Sequence, residues 1–308
     1  MQSTNTILMV RPLFFRLNEQ TVVNNYYQSN KTYDMSAIQQ LALREFDSSV
    51  EELKSHGICV LVAEDRPHVI TPDSVFPNNW FSTDRWGNLI FYPMFAPNRR
   101  LERRPDLKLL LSNWGFQVKS FLDLSAHEEK GQFLEGTGSL VLDRRLKKAY
   151  ACISERTSKE LILEWCRLFD YKPVIFEGFQ TVSENRLPVY HTNVIMSIGT
   201  SWALVCASAI DDETTREGIL KSLEEGREVR IISEHEMNRF GANILEVDND
   251  KGERHIVLSQ TAFEHMDVAT KSFLQLYGKL VILKISTIEE YGGGSARCML
   301  AEVFLPKS

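Results

Sequence analysis

The chain has 308 residues and a formal net charge of −6; 43% of its residues are hydrophobic and 25% are charged. This is the composition of a globular protein with enough apolar material for a core. The acidic balance argues against a nucleic-acid partner, because phosphate binding needs a basic face. No apolar run approaches the roughly 18 residues of a transmembrane helix, so we expect no membrane partner.

Five cysteines at irregular spacings are typical of reduced thiols, which favours a cytoplasmic location. Neither a C-x-x-C pair nor an H-E-x-x-H segment is present, so we expect no metal and no organic cofactor. Cys152, Cys166 and Cys206 lie in apolar stretches and are predicted to be core residues.

Along the chain, the sequence first predicts a strand at 6–10, a helix at 36–56 and a strand at 57–62. Four pairs of short apolar segments around turn residues follow, which is the pattern of β-hairpins. These pairs lie at 80–83 with 89–92, 139–142 with 149–153, 193–197 with 202–206, and 243–247 with 255–258.

Most of the hairpins are followed by a helical pattern and then by one more strand. A capping box from Thr157 to Glu160 is predicted to open one helix, and Ser36 with Gln39 to open the first. The helices are predicted at 157–169, 214–225 and 270–277, and the strands at 117–121, 173–176, 229–232 and 280–283.

Hairpin–helix–strand units therefore begin near residues 80, 139, 193, 243 and 298. A period of roughly 50–60 residues indicates a repeat architecture such as a propeller or a solenoid. The fifth unit is split, since a C-terminal strand at 298–305 needs the N-terminal strand, helix and strand to complete it. Joining the two ends would close a ring and hide sheet edges. We expect one catalytic domain, 1–308, with an α/β fold: a five-bladed α/β propeller of pseudo-fivefold modules closed by the N- and C-terminal strands.

Polar residues of the types that take part in catalysis lie at the start of these units. Cys298 follows three glycines, which let backbone N–H groups approach a ligand closely, and cysteine is a strong nucleophile once its pKa falls. Taken singly, each candidate also fits an ordinary turn or core position. All of them lie at the same position within the repeating unit. This shared position predicts instead that an acid, a histidine and a cysteine come together at one end of the axis around which the units are arranged. The candidates are Asp73, Asn78, Asn79, Glu135, His191, Asn193 and Cys298.

These motifs resemble the guanidino-group-modifying superfamily of arginine deiminases, dimethylarginine dimethylaminohydrolases and amidinotransferases. The segments that carry the likeness are 292–299, Glu135-Gly136-Thr137, His191, 72–76, 97–100 and 154–157. The resemblance implies the pentein fold and a catalytic set of Cys298, His191 and Glu135. It also implies that Asp73, Asn78 and the backbone near Gly293 contact the substrate, and that Arg99 and Arg156 bind its α-carboxylate.

The sequence departs from that family where a guanidinium would be held. Asn78 and Asn79 stand where carboxylates are usual, and Asn193 stands where arginine deiminases have an aspartate. A guanidinium offers only donors and suits a carboxylate, whereas a neutral ureido group suits an amide. The closest resemblance is thus to the citrulline-utilisation hydrolase branch, which implies hydrolysis of citrulline to ornithine, carbon dioxide and ammonia.

Other functions remain open at this point. An arginine deiminase, a dimethylarginine dimethylaminohydrolase-type hydrolase and an amidinotransferase share the motifs. A non-catalytic binding protein on the same propeller, such as a ribosome anti-association factor, is a different class, and the complete Cys–His–Glu set argues against it. The partner that we expect is a small amino-acid substrate, citrulline or arginine-like, and a homodimer is a further open expectation.

Overall fold

The computed structural model describes residues 1–28 and 34–307. Its strands are β1 (Thr6–Arg11), β2 (Cys59–Glu64), β3 (Phe81–Thr83), β4 (Asn88–Phe91), β5 (Ser120–Asp123), β6 (Val141–Asp143), β7 (Lys148–Ile153), β8 (Lys172–Glu177), β9 (Phe179–Val182), β10 (Asn185–Pro188), β11 (Met196–Ile198), β12 (Trp202–Val205), β13 (Glu228–Ile231), β14 (Leu245–Asp248), β15 (Arg254–Ser259), β16 (Lys279–Leu283) and β17 (Ala301–Glu302).

The α-helices are α1 (Met35–Ser55), α2 (Pro97–Arg100), α3 (Leu107–Asn113), α4 (Gly136–Ser139), α5 (Lys159–Phe169), α6 (Thr192–Ile195), α7 (Glu213–Leu223), α8 (Glu234–Met237), α9 (Gln260–His265), α10 (Val268–Gln275), α11 (Ser286–Gly292) and α12 (Ala296–Met299). Short 3₁₀ helices lie at Pro77–Asn79, Ser125–Lys130 and Ala207–Ala209. None of the helices in the described ranges is both long and apolar enough to cross a membrane.

The sheets repeat one pairing scheme. In residues 1–28 and 34–307 there are five three-stranded sheets, in which the middle strand pairs antiparallel with one neighbour and parallel with the other. They are β3-β4-β5, β6-β7-β8, β11-β12-β13, β14-β15-β16 and β17-β1-β2. The last of these joins the C-terminal strand to the N-terminal pair, as predicted, and the α/β fold is confirmed. The hairpin of β9 and β10 was not predicted.

Several predicted boundaries were wrong for local reasons. Asp34, not Ser36, caps α1, because its carboxylate accepts from the Ser36 amide. The capping box from Thr157 is absent: α5 begins at Lys159, and the Thr157 hydroxyl donates instead to Ser139. The strand predicted at 117–121 begins later, at Ser120, and extends to Asp123 as β5, because its register pairs Ser120 with Asn88.

One helical turn stands before the first strand of four units, where strands had been predicted to begin. The turns are Pro77–Asn79, α4, α6 and α12. Cys298 therefore lies in a helical turn rather than in a strand, and β17 is only two residues long. These four turns carry most of the candidate residues into the interior.

The core is made by the sheets and the helices that cover them. Trp80, Trp202 and Tyr150 are among its largest fully buried side chains. Cys152, Cys166 and Cys206 are buried, as predicted.

Candidate active site

The glycine run before Cys298 is shaped by close packing. Gly293 has φ +66°, and a Cβ on Gly292 or Gly294 would lie 2.7 or 2.8 Å from the ring of Phe76. Glycine is therefore required for the turn to pass this ring. The turn leads directly into α12, where Cys298 is 6% exposed.

Two amides lie against the Cys298 sulfur. Asn193 Nδ2 is 3.5 Å and Asn243 Nδ2 is 3.3 Å from Sγ. Both amides are placed to donate a hydrogen bond to the sulfur, and Asn243 Oδ1, at 3.6 Å, is placed to accept one from the thiol. Asn243 was missed in the sequence analysis, although it begins the fourth unit at the same phase at which Asn193 begins the third.

Glu135 and His191 form a buried pair. His191 Nε2 is 2.8 Å from Glu135 Oε2, and both side chains are almost fully buried. Burial acts to raise the pKa of Glu135, but Arg156 and His191 outweigh it and lower this pKa to about 2. Burial lowers the pKa of His191 below 6.5, although Glu135 opposes this. Near neutral pH a neutral His191 therefore donates from Nε2, and its Nδ1 keeps a free lone pair.

Two arginines lie beside this pair. Arg156 Nη1 is 3.7 Å and Arg99 Nη1 is 3.9 Å from Glu135 Oε2. Arg99 also holds Glu102 with two hydrogen bonds of 2.9 Å and donates to Asn79 Oδ1 at 2.9 Å. The predicted binding of a substrate carboxylate by both arginines stays a prediction. Glu102 was missed, because its partner three residues earlier reads as an ordinary surface pair on a helix.

Three asparagines of the segment before α1 contact the residues of this site. Asn18 Nδ2 donates to Asp73 Oδ2 at 2.7 Å, and Asn24 Oδ1 accepts from Arg156 Nε at 3.0 Å. Asn25 Nδ2 is 3.2 Å from the carbonyl oxygen of Gly293. No pattern in the sequence marked these asparagines, since each meets a partner more than 50 residues away.

The cavity between these groups gathers seven of the predicted residues. Glu135 and Asn193 lie behind its wall, in contact with His191 and Cys298. The Asn78 side chain is buried and is not part of the wall, so the structure does not bring it to this cavity. The wall is formed by Asn25, Asp73, Phe76, Asn79, Arg99, Arg156, Tyr190, His191, Gly292, Gly293, Gly294 and Cys298.

Three buried polar atoms of this site have no protein partner. They are Asp73 Oδ1, Asn79 Nδ2 and Asn193 Oδ1. Buried polar atoms are nearly always hydrogen-bonded, so a group of unpaired donors and acceptors indicates a place for a polar ligand. Within the described ranges, no cluster of His, Cys, Asp and Glu has the arrangement to hold a metal ion.

The comparison with protein families is decisive. The model of the family "N,N dimethylarginine dimethylhydrolase, eukaryotic" matches residues 11–305. The chain belongs to that family of guanidino-group hydrolases. The predicted superfamily is thereby confirmed. No curated protein sequence matches the chain.

Solved structures of pentein proteins share the fold. Apo ArgZ, an arginine dihydrolase from the ornithine–ammonia cycle in cyanobacteria, superposes with a TM-score of 0.72 at 17% identity; the match covers 98% of this chain and 41% of ArgZ. The N-terminal domain of ArgZ bound to substrate gives 0.69 at 18% identity, with 97% of each chain covered. The dimethylarginine dimethylaminohydrolase of Pseudomonas aeruginosa complexed with citrulline gives 0.67 at 13%, covering 98% and 100%.

Proposed function

We propose that this protein hydrolyses the ureido group of citrulline to ornithine, carbon dioxide and ammonia, with Cys298 as the covalent nucleophile. The observation that carries the proposal is the shared cavity of Cys298 and His191, with Glu135 hydrogen-bonded to His191. A nucleophile, a base and a group that orients the base are the minimum for covalent hydrolysis. The five three-stranded sheets are then the blades of a single α/β propeller, 1–308, with the cavity at one mouth.

In the proposed reaction His191 takes the thiol proton of Cys298 on Nδ1, and the resulting thiolate adds to the ureido carbon. His191 gives a proton to the terminal nitrogen, the C–N bond breaks and ammonia leaves an S-carbamoyl enzyme. His191 then takes a proton from water, the hydroxide adds to the same carbon and the C–S bond breaks. The released carbamate loses carbon dioxide to give ornithine. Departure of ornithine before ammonia gives the same products.

Contacts in the cavity support a role for each further residue. The amides of Asn193 and Asn243 stabilise the thiolate of Cys298. Asp73 has one carboxylate oxygen unpaired, which accepts an N–H of the substrate. Arg156 and Arg99 attract the α-carboxylate as charge-assisted partners, and backbone N–H groups after Gly293 polarise the ureido oxygen.

Hydrolysis of arginine is the second candidate. The unpaired oxygen of Asp73 also suits an N–H of a guanidinium, and Glu135 adds a second negative charge nearby. Against it, Asn79 and Asn193 each present an amide where a carboxylate would balance the guanidinium charge, and burial of an unbalanced charge costs several kcal/mol.

One assay separates the two candidates. The purified protein is incubated with citrulline, arginine or dimethylarginine, and ornithine, citrulline and ammonia are measured. We expect ornithine from citrulline and little or no turnover of arginine. The double substitution Asn79→Asp with Asn193→Asp should reverse the affinities when both ligands are titrated into Cys298→Ala protein. An unchanged affinity ratio would show that these asparagines do not select the substrate.

A further inference from the structure

Asn79 has one satisfied and one unsatisfied end. Its Oδ1 accepts from Arg99 Nη1 at 2.9 Å, while its buried Nδ2 has no partner. The space around Nδ2 exists only because residue 138 is glycine, since a Cβ there would lie 2.4 Å from this nitrogen. Asn79 is part of the cavity wall, and a buried N–H₂ group without a protein partner at such a position is arranged to donate to a ligand.

Arg99 determines which end of the amide faces the cavity. A guanidinium has donors and no acceptor, so only the oxygen of Asn79 can face it favourably. The reversed amide would set N–H₂ against N–H and leave both groups unpaired, at the cost of burying unsatisfied donors. The orientation of Asn79 is therefore imposed by its neighbour and does not depend on a ligand.

Glu102 in turn fixes Arg99. Its two oxygens accept from Nε and Nη2 of Arg99 at 2.9 Å each, and the carbonyl oxygen of Phe76 accepts from Nη2 at 3.4 Å. Arg99 and Glu102 are 2% and 4% exposed, so the pair is held in a desolvated environment. Glu102 is not part of the cavity wall, so its contact with the site runs through Arg99.

We propose that Arg99 and Glu102 are a positioning pair that holds Asn79 with its N–H₂ group toward the ligand, so that the cavity selects a group with an acceptor oxygen over an all-donor guanidinium. This deepens the proposed function and rests on it for the identity of the ligand. A ureido oxygen accepts hydrogen bonds from the N–H₂ group of Asn79, whereas a guanidinium places its own N–H groups against those donors.

The test removes the pair without changing the net charge. In Cys298→Ala protein, Arg99→Met is combined with Glu102→Leu, and the dissociation constants of citrulline and arginine are measured by calorimetry. Both ligands carry the same α-carboxylate, so loss of a contact to it cancels in their ratio. We expect the preference for citrulline to fall by about tenfold, the effect of one well-placed hydrogen bond. An unchanged ratio would overturn the proposal.

Arg103→Met with Glu128→Leu is the matched control, because it also removes an arginine–glutamate pair at constant net charge and this pair lies outside the cavity wall. It should leave the ratio unchanged. Should the double variant not fold, Glu102→Gln replaces it: the smaller loss of restraint on Arg99 should shift the ratio in the same direction, and no shift would count against the proposal.

A second measurement keeps this proposal separate from the proposed function. The side-chain N–H₂ signal of Asn79, assigned by its loss in Asn79→Asp, is followed by NMR without any ligand. We expect a single pair of resonances in the Cys298→Ala protein, and shifted or broadened resonances in the double variant. If neither citrulline nor arginine binds but this change is seen, the function is wrong and the positioning pair stands. An unchanged signal removes the positioning pair.

Discussion

Two buried arginine–carboxylate pairs of this protein differ in how completely their neighbourhoods are satisfied. Arg227 donates to both oxygens of Asp143 and to the Gly199 carbonyl, and Asp143 also accepts from the amides of Arg145 and Leu146. Neither side chain of this pair is more than 1% exposed. All the polar atoms of Asp143 are thus engaged, and the pair ties three chain segments together.

The pair of Arg99 and Glu102 is equally buried but has unsatisfied neighbours. Asp73 Oδ1 and Asn79 Nδ2, both close to Arg99, have no partner. Completed polar networks stabilise a fold, whereas incomplete ones cost stability and persist at functional sites. The comparison separates an arginine pair that maintains the structure from one that prepares a site, and the predictions below test that separation.

The largest expected effect is on catalysis. Cys298→Ala should leave the fold intact and lower turnover by several orders of magnitude, because members of a covalent catalytic unit fail together. Cys206→Ala is the matched control: that thiol is also buried, and its loss should cost some stability but little activity. Near-normal turnover in Cys298→Ala would exclude the nucleophile assignment.

The next prediction compares the stability of the two networks by replacing one aspartate of each with asparagine. Asp143→Asn should lower the free energy of unfolding by about 3 kcal/mol, because it leaves a buried guanidinium without its counter-charge. Asp73→Asn should be neutral or stabilising, since burial already raises the pKa of Asp73 and opposes its ionised form. Urea denaturation measures both. A larger loss for Asp73→Asn would mean that the two networks have the same role.

The sequence was informative where the structure is local. The hairpins of four sheets were predictable because each is a pair of short apolar segments beside turn residues, and the phase of Glu135, His191 and Cys298 in the repeat followed from them. The ring arrangement of the sheets stays a prediction, as do the catalytic roles of these residues.

The parts that were missed depend on contacts between distant segments. Asn18 meets Asp73 and Asn24 meets Arg156 only after folding, and the asparagines of the segment before α1 have no periodicity that could mark them. The single helical turns before the strands were missed for a similar reason. Such short helices are not stable alone and are held by tertiary packing, so propensity does not reveal them.

An effect of similar size is expected for substrate affinity. Arg156→Ala should raise the Michaelis constant for citrulline by the equivalent of about 2–4 kcal/mol, through loss of a charged hydrogen-bonded contact. An analogue without the α-carboxylate should be a poor substrate that is insensitive to the substitution. Equal sensitivity for both compounds would contradict the assignment of Arg156 to the carboxylate.

The smallest effect is a change in the acid dependence of stability. The pKa of Glu135 is lowered from 4.5 to about 2, so its contribution to stability is complete above pH 4.5 and is lost as the pH falls toward about 2. The pKa of Asp73 is raised, so this residue takes up a proton more readily in the folded chain and stabilises it as the pH falls.

Loss of the Glu135 carboxylate and loss of the Asp73 carboxylate should therefore change the pH dependence of stability in opposite directions. Glu135→Gln should make stability fall less steeply with acidification, and Asp73→Asn should make it fall more steeply. Urea denaturation at a series of acidic pH values gives these slopes, with Asp143→Asn for comparison, because the pKa of Asp143 is also lowered and its loss should act as that of Glu135 does. If Asp73→Asn made the slope shallower, Asp73 would be ionised and satisfied like Asp143, and its free oxygen would not be reserved for a ligand.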